Sequence, residues 1–240
     1  MCFSFPVSLT LGFLGICLAK YSSLNKRYGY RDIALFYSFM ELLQAVQYLL
    51  VEPYDSVQPY DSDKRACSLP NYFSTLVAHV LVVVQPAMWN LFRYRSQREN
   101  KDIFYFAFLM SLIWAVFFSL RLFYLPLGPV VPFLQEKDIL TGSEICSWLG
   151  PTHVYWTLPY YSYSGLEANL FTYLLLWFFP TVYEKQGIFK LSLWLVQIAI
   201  ILSVVSLVDE LPTFWCALSV PFLFMSVFSK EPSPSLISRG

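Results

Sequence analysis

Long apolar stretches separated by short polar segments dominate this chain. Seven of the stretches are long enough to cross the roughly 30 Å hydrocarbon core of a bilayer, which takes about 17–25 helical residues. They are Val7–Leu24, Asp32–Val51, Tyr72–Phe92, Ile103–Leu125, Ser164–Val182, Ile188–Val208 and Leu211–Phe228. Because these runs are continuously apolar rather than alternating, the pattern predicts an all-α, polytopic bundle of seven transmembrane helices.

Two predicted spans carry a residue that is unusual in an apolar helix. Lys20 lies near the end of the first span, where a long side chain can reach the membrane surface. Pro221 should kink the seventh span. We expect residues 1–228 to form one transmembrane domain, and the polar, Ser- and Pro-containing residues 229–240 to form a short disordered cytoplasmic tail.

The composition indicates a chain whose solvent is lipid. Apolar residue types fill 57% of the 240 positions and charged types only 13%, whereas soluble domains contain about 25% charged residues. The formal net charge is zero, so nothing in the charge balance favours a nucleic-acid partner. The expected partner is the lipid bilayer of a plasma membrane or endomembrane. No cofactor is expected, and the sequence does not fix an oligomeric state.

The basic residues predict an orientation in the membrane. Loops and their flanks on one side hold twelve Lys and Arg residues, and those on the other side hold three. The larger group is Lys20, Lys26, Arg27, Arg31, Arg93, Arg95, Arg98, Lys101, Lys185, Lys190, Lys230 and Arg239; the smaller is Lys64, Arg65 and Lys137. Because basic loops stay in the cytoplasm, the N-terminus is predicted outside and the C-terminus in the cytoplasm.

A polar stripe follows the second predicted span. Tyr37, Glu41, Gln44 and Tyr48 are spaced by four, three and four residues, which places them on one helical face. Glu41 lies near the middle of the membrane, where a carboxylate is costly unless it faces the bundle and finds a partner or a proton. The stripe is therefore either hydrogen-bonding glue between helices or part of a functional site.

The third predicted span carries a histidine at a similar depth. His79 shares a face with Thr75, and Gln85 lies to one side of it. A Glu41–His79 pair would suit a proton relay, an acid–base pair or half of a metal site. The alternative is a buried histidine satisfied by a glutamine or a hydroxyl group. The sequence contains neither HxxxH nor HExxH, so no metal site is predicted.

Further polar candidates lie toward the outer ends of the spans. Arg121 in the fourth span either pairs with Glu167 of the fifth or extends to the membrane surface, and Glu167 also suits a helix N-terminus. The long segment Pro126–Tyr163 carries His153 and Trp156, and it is expected either to form a lid or to belong to the outer aromatic belt. The charged candidates all lie from the midplane outward, which suggests a polar cavity open to the outer side.

The positions of the cysteines predict one disulfide. Cys67 precedes the third span and Cys146 lies in the long segment after the fourth, so both are expected on the non-cytoplasmic side, where disulfides persist. A Cys67–Cys146 bridge would hold the long outer segment across the top of the third helix. Cys2 is expected on the same side, so a bridge from Cys2 to either residue, or no bridge at all, is the alternative.

Four short motifs in this chain resemble those of a known family. They are Met1-Cys2-Phe3-Ser4, the Gln-x-x-Gln of Gln44 and Gln47, Gln85-Pro86, and His153-x-x-Trp156. Together they resemble an uncharacterised multi-pass membrane family, known from giant viruses and bacteria, whose members begin Met-Cys-Phe-Ser. Phe5 and Pro6 depart from the small residue expected after that opening. The resemblance implies several membrane helices, no known activity and no catalytic assignment.

Three functional hypotheses follow from these patterns. The leading one is a membrane protein that binds or transports a small molecule, an ion or a proton through an outward-facing polar cavity. The second is an intramembrane enzyme in which Glu41 and His79 act as acid and base on a lipid-like substrate. The third is a structural or assembly protein whose polar residues only hold the bundle together, which predicts that those residues satisfy one another.

Overall fold

The computed structural model describes residues 4–53, 67–97, 99–123, 130–131, 144–149, 154–163 and 169–204. These residues form mostly helices, and the bounds of the first four helices lie close to those of the first four predicted spans. The helices are α1 (Phe5–Leu24), α2 (Tyr28–Leu50), α3 (Leu69–Ser96), α4 (Lys101–Leu120), α5 (Leu170–Phe178) and α6 (Gly187–Val204), and a 3-10 helix, Phe179–Tyr183, follows α5. The predicted seventh span, Leu211–Phe228, and the predicted tail lie outside the described residues.

Four of these helices, α1 to α4, are long and apolar enough to cross a membrane. The 3-10 helix extends α5 into a shorter apolar helical segment, and α6 is also apolar. Large apolar side chains on α4 are exposed, among them Phe106 (65%), Val116 (59%) and Phe117 (60%). A soluble protein rarely exposes so continuous an apolar face, so this surface suits contact with lipid tails.

Helices α1 and α2 pack closely because two glycines of α1 face α2. A Cβ atom at Gly15 would lie 2.2 Å from the hydroxyl of Ser38, and one at Gly12 would lie 2.7 Å from the side chain of Leu42. Small residues at such crossings allow helix backbones to approach each other in a membrane. The α1–α2 pair is therefore held by close van der Waals contact at these glycines.

Helix α3 is the central element of the bundle. It packs against α2, α4 and α5, and it carries a strand of the outer segment near its N-terminal end. The indole rings of Trp89 on α3, Trp177 on α5 and Trp194 on α6 form a mutual cluster with centroid separations of 5.4–6.1 Å. This cluster joins three helices at one level of the core.

Short strands lie between the helices, and the hydrophobic pattern did not predict them. They are β1 (Glu52–Pro53), β2 (Val130–Val131), β3 (Cys146–Leu149), β4 (Val154–Thr157) and β5 (Ser162–Tyr163). One sheet has the order β1-β3-β4, with β1 parallel and β4 antiparallel to β3; β2 and β5 form an antiparallel pair. We call residues 144–149 and 154–161 the lid.

Candidate functional site

The lid is fixed to the N-terminal end of α3 by a disulfide and a pair of hydrogen bonds. Cys67 and Cys146 lie at disulfide distance, with Cα atoms 5.8 Å apart, so the predicted pairing agrees with the structure; Cys2, of the alternative pairings, lies outside the described residues. Next to the bridge, the Asn71 amide donates to the carbonyl of Ser147 and accepts from its N–H, each at 2.9 Å. The side chain thus pairs with β3 much as a neighbouring strand would.

Contacts between α2 and α3 define successive levels through the bundle. At the outer level, the Ser147 hydroxyl lies 3.0 Å from Gln47 Nε2 of α2 and 2.6 Å from Thr75 Oγ1 of α3. Deeper in the bundle, Gln85 Nε2 of α3 donates to the Met40 sulfur of α2 at 3.2 Å. The two helices are therefore antiparallel neighbours with their facing residues in register.

Gln44 and His79 lie between those two levels. Gln44 is about one helical turn inward from Gln47, and His79 is about one turn inward from Thr75. Both side chains are buried, with 3% and 1% exposure. The structure thus brings Gln44 of α2 and His79 of α3 to the same level, whereas the sequence suggested that Glu41 lies opposite His79.

Trp156 of the lid completes this level. Its side chain is 2% exposed and belongs to an apolar cluster that includes Ala78 of α3, next to His79, and Leu43 of α2, next to Gln44. We call Gln44, His79 and Trp156 the outer polar layer, after the side of the membrane on which the sequence predicts the lid. It is formed by three separate elements, α2, α3 and β4.

Several polar atoms of this level have no hydrogen-bond partner among the described residues. They are both amide atoms of Gln44, Nε2 of His79, Nε1 of Trp156 and, one turn outward, Oε1 of Gln47. A buried polar group without a partner typically costs about 1–3 kcal/mol, so native proteins rarely collect several of them at one place. This concentration marks the outer polar layer as the candidate site.

His79 is held from the lid side by an aromatic residue. Its Nδ1 atom lies 3.1 Å from the hydroxyl of Tyr160, and its ring stacks on that of Phe118 with centroids 5.7 Å apart. When the phenol donates to a neutral imidazole, as is usual, the proton of the ring lies on Nε2. In that tautomer His79 presents an N–H donor to the outer polar layer.

The direct Glu41–His79 pair that the sequence suggested is not formed. Nδ1 of His79 faces Tyr160, and Nε2 has no partner among the described residues. Glu41 is fully buried on α2, about one turn inward from Gln44, so it lies deeper than the imidazole. Tyr37 lies a further turn inward, where its hydroxyl accepts from Trp89 Nε1 at 2.8 Å.

Arg121, another predicted site residue, contacts the lid. Arg121 is 4% exposed; its Nε donates to the carbonyl of Tyr161 at 3.1 Å, and its guanidinium lies 5.0 Å from the centroid of the Tyr160 ring. Arg121 therefore binds the lid instead of extending to the surface.

The other predicted residues have different outcomes. His153 and Glu167 lie outside the described residues. Tyr48 packs against the cluster that contains Trp156, and Gln85 Oε1 accepts from the Tyr173 hydroxyl.

Sequence reasoning missed a buried ionic network at the other end of α3. Arg93, treated above as a loop cation, is only 1% exposed and donates to Glu184 at 2.6 Å, Thr181 at 2.6 Å and Asn90 at 2.9 Å. Lys190 of α6 also pairs with Glu184, at 2.8 Å. Asn90 and Arg93 continue the polar face of α3, and this was the available signal.

The donor set of the candidate site is not that of a metal centre. In the part of the chain that is described, no three His, Cys, Asp or Glu residues are grouped so that they could hold a metal ion. The outer polar layer instead combines an amide, an imidazole and an indole. These groups suit hydrogen bonding to a small polar molecule.

The fold is that of a helical protein with four helices able to cross a membrane and a lid over one end. The chain belongs to DUF5765, a family of unknown function, which matches residues 6–231. It is 28% identical over 230 residues to an uncharacterised protein, R287, of Acanthamoeba polyphaga mimivirus, covering 92% of this chain and 91% of the relative. No solved structure matches the chain.

The family agrees with the coarser part of the resemblance, an uncharacterised family with giant-virus members. The Met-Cys-Phe-Ser opening precedes the matched residues, so that motif stays an expectation.

Proposed function

We propose that this chain is a seven-helix integral membrane protein that binds a small polar solute in the outer polar layer and takes it up from the non-cytoplasmic side. The N-terminus lies outside and the C-terminus lies in the cytoplasm. The Cys67–Cys146 pair supports this orientation, because disulfides persist on the non-cytoplasmic side of a membrane. The basic residues of the opposite loops support it independently.

The observation that carries the proposal is the concentration of buried, unsatisfied hydrogen-bonding atoms on Gln44, His79 and Trp156. A purely structural role predicts that such groups satisfy one another, as Asn71 and Ser147 do a few ångströms outward. An acid–base role for Glu41 and His79 is less well supported, since no hydrogen bond joins them and Nδ1 of His79 faces Tyr160. Binding of a polar solute accounts for the same atoms directly.

The rest of the described bundle suits a site that opens at one end. The lid covers the outer polar layer from the side on which we place the exterior. At the other end, the buried contacts of Arg93 with Thr181 and Glu184 join α3 to the segment between α5 and α6. A solute in the outer polar layer would therefore exchange with the outside when the lid moves, while the Arg93 network keeps the cytoplasmic end closed.

Labelling of single cysteines with a small, charged, membrane-impermeant thiol reagent tests the proposal without knowledge of the solute. In a background with Cys2, Cys17 and Cys216 changed to alanine, Gln44→Cys should react with reagent added from the outside. The matched control is Val46→Cys, which is two residues away at nearly the same depth but faces outward with 47% exposure. That residue should stay unreactive because lipid excludes a charged reagent. Equal protection of both cysteines would show that the layer is dry and only structural.

A further inference from the structure

We infer that the outer polar layer recognises the carboxylate of a small aliphatic acid. The inference rests on the proposed function and adds the chemical class of the solute. Its basis is the kind of hydrogen-bonding atom that Gln44, His79 and Trp156 leave without a partner, together with the apolar residues beside them.

The unsatisfied groups include the N–H donors of Gln44 and Trp156, the carbonyl oxygens of Gln44 and Gln47, and Nε2 of His79. The indole of Trp156 can only donate, and the Gln44 amide supplies two further donors. His79 supplies a third donor when Tyr160 donates to its Nδ1, because the ring proton then lies on Nε2. Three groups able to donate, on three separate elements, thus lie at one level, which suits an acceptor with several lone pairs.

This donor set favours an anion over a metal ion as the resident ligand of the layer. A cation needs oxygen or unprotonated nitrogen ligands, which neither the Trp156 indole nor the His79 N–H provides. A carboxylate accepts about four hydrogen bonds, and bonds to a charged acceptor are stronger than those between neutral groups. The oxygen atoms of Gln44 and Gln47 can accept a hydrogen bond from one donor on the solute, such as a hydroxyl group.

The surroundings provide a positive charge and an apolar wall. The guanidinium of Arg121 lies over the ring of Tyr160, whose hydroxyl contacts His79, so a fixed cation stands behind the donor side of the layer. Leu43, Ala78 and Val82 pack in the same cluster as Trp156. Donors on one side and aliphatic groups on the other suit a carboxylate with a short hydrocarbon tail.

Acetate and acetamide test this assignment, because they have nearly the same shape and differ in charge. With the full-length protein in detergent, acetate should raise the melting temperature in a saturable manner, and acetamide should bind at least about tenfold more weakly. Trp156→Phe keeps an aromatic ring but removes the N–H, and it should weaken acetate binding about tenfold to a hundredfold. The control is Trp148→Phe, since Nε1 of Trp148 already donates to Thr157 within the lid at 3.0 Å; its acetate affinity should not change.

The outcomes separate this inference from the proposed function. Tighter binding of acetamide than of acetate, or no binding of either while Gln44→Cys is labelled from outside, would overturn the carboxylate assignment and leave a solute site in place. Equal acetate affinity in the Trp156→Phe and Trp148→Phe variants would also overturn it. Failure of the cysteine labelling itself would remove the proposed function and this inference together.

Discussion

The Arg93 network allows a quantitative prediction about stability. Arg93→Met removes the buried cation that pairs with Glu184, and breaking a buried ion pair from one side costs about 3–5 kcal/mol. Lys190 stays 2.8 Å from the same carboxylate, so the loss should fall at the lower end, about 3 kcal/mol. For a chain of this length that corresponds to a melting temperature about 6–12 °C lower.

Substitution of the partner, Glu184, should lower the stability further. Glu184→Met leaves Arg93 with only Asn90 and Thr181 among the partners described above, and neither carries a charge. The side chain of Lys190 is 32% exposed and can turn toward water, whereas Arg93 is 1% exposed and cannot. We expect Glu184→Met to cost about 1 kcal/mol more than Arg93→Met, toward the upper end of the range for a broken buried pair.

Tryptophan fluorescence of the purified protein during heating is a suitable assay, combined with a double-mutant cycle. The double variant Arg93→Met/Glu184→Met should be more stable than either single variant, because neither charge then remains unpaired in the interior. If the two single losses simply add in the double variant, the reasoning is refuted, and the network contributes little more than packing.

Three further predictions follow from other contacts. Gly15→Val should lower the melting temperature strongly, since its Cβ would lie 2.2 Å from the Ser38 hydroxyl, whereas the lipid-facing Phe13→Val should have little effect; thermal unfolding of both variants measures this. Reduction of the Cys67–Cys146 bridge, which spans 79 residues, should cost about 2–4 kcal/mol, visible as a lower melting temperature in reductant; an unchanged value would contradict it. Glu41→Gln replaces a carboxyl group about one turn from the outer polar layer with an uncharged amide of the same size and should leave acetate binding equal or tighter; a weaker affinity would speak against the electrostatic argument.

The sequence predicted the helices well because their signal is local. A helix repeats its apolar and polar positions every few residues, so α1 to α4 begin and end within a few residues of the predicted spans. The burial of Glu41 and His79 also followed from their position in apolar runs. The Cys67–Cys146 pairing could be predicted because the predicted topology places few cysteines on the non-cytoplasmic side.

The parts that the sequence did not reveal depend on contacts between distant segments. Strands β3 and β4 have four residues each, which is too short for an alternating pattern to be distinctive. Arg93 reaches Glu184 across 91 positions, and His79 reaches Tyr160 across 81. Nothing in the local sequence distinguishes these partners from other polar residues of the same type, so the sequence indicated a polar face on α3 without its pairing.

The pairing of the Asn71 side chain with β3 determines how the site can open. Asn71 and the disulfide tie β3 to α3 along one edge, and Arg121, directly after α4, holds Tyr161 of the lid by a backbone bond and a bond from its guanidinium. If the lid opens as we propose, a hinge on the α3 side would leave the covalent bridge intact, whereas the contacts near α4 would have to break. Such a motion would draw Tyr160 away from His79 before it moves Ser147, so the imidazole would meet an entering solute first.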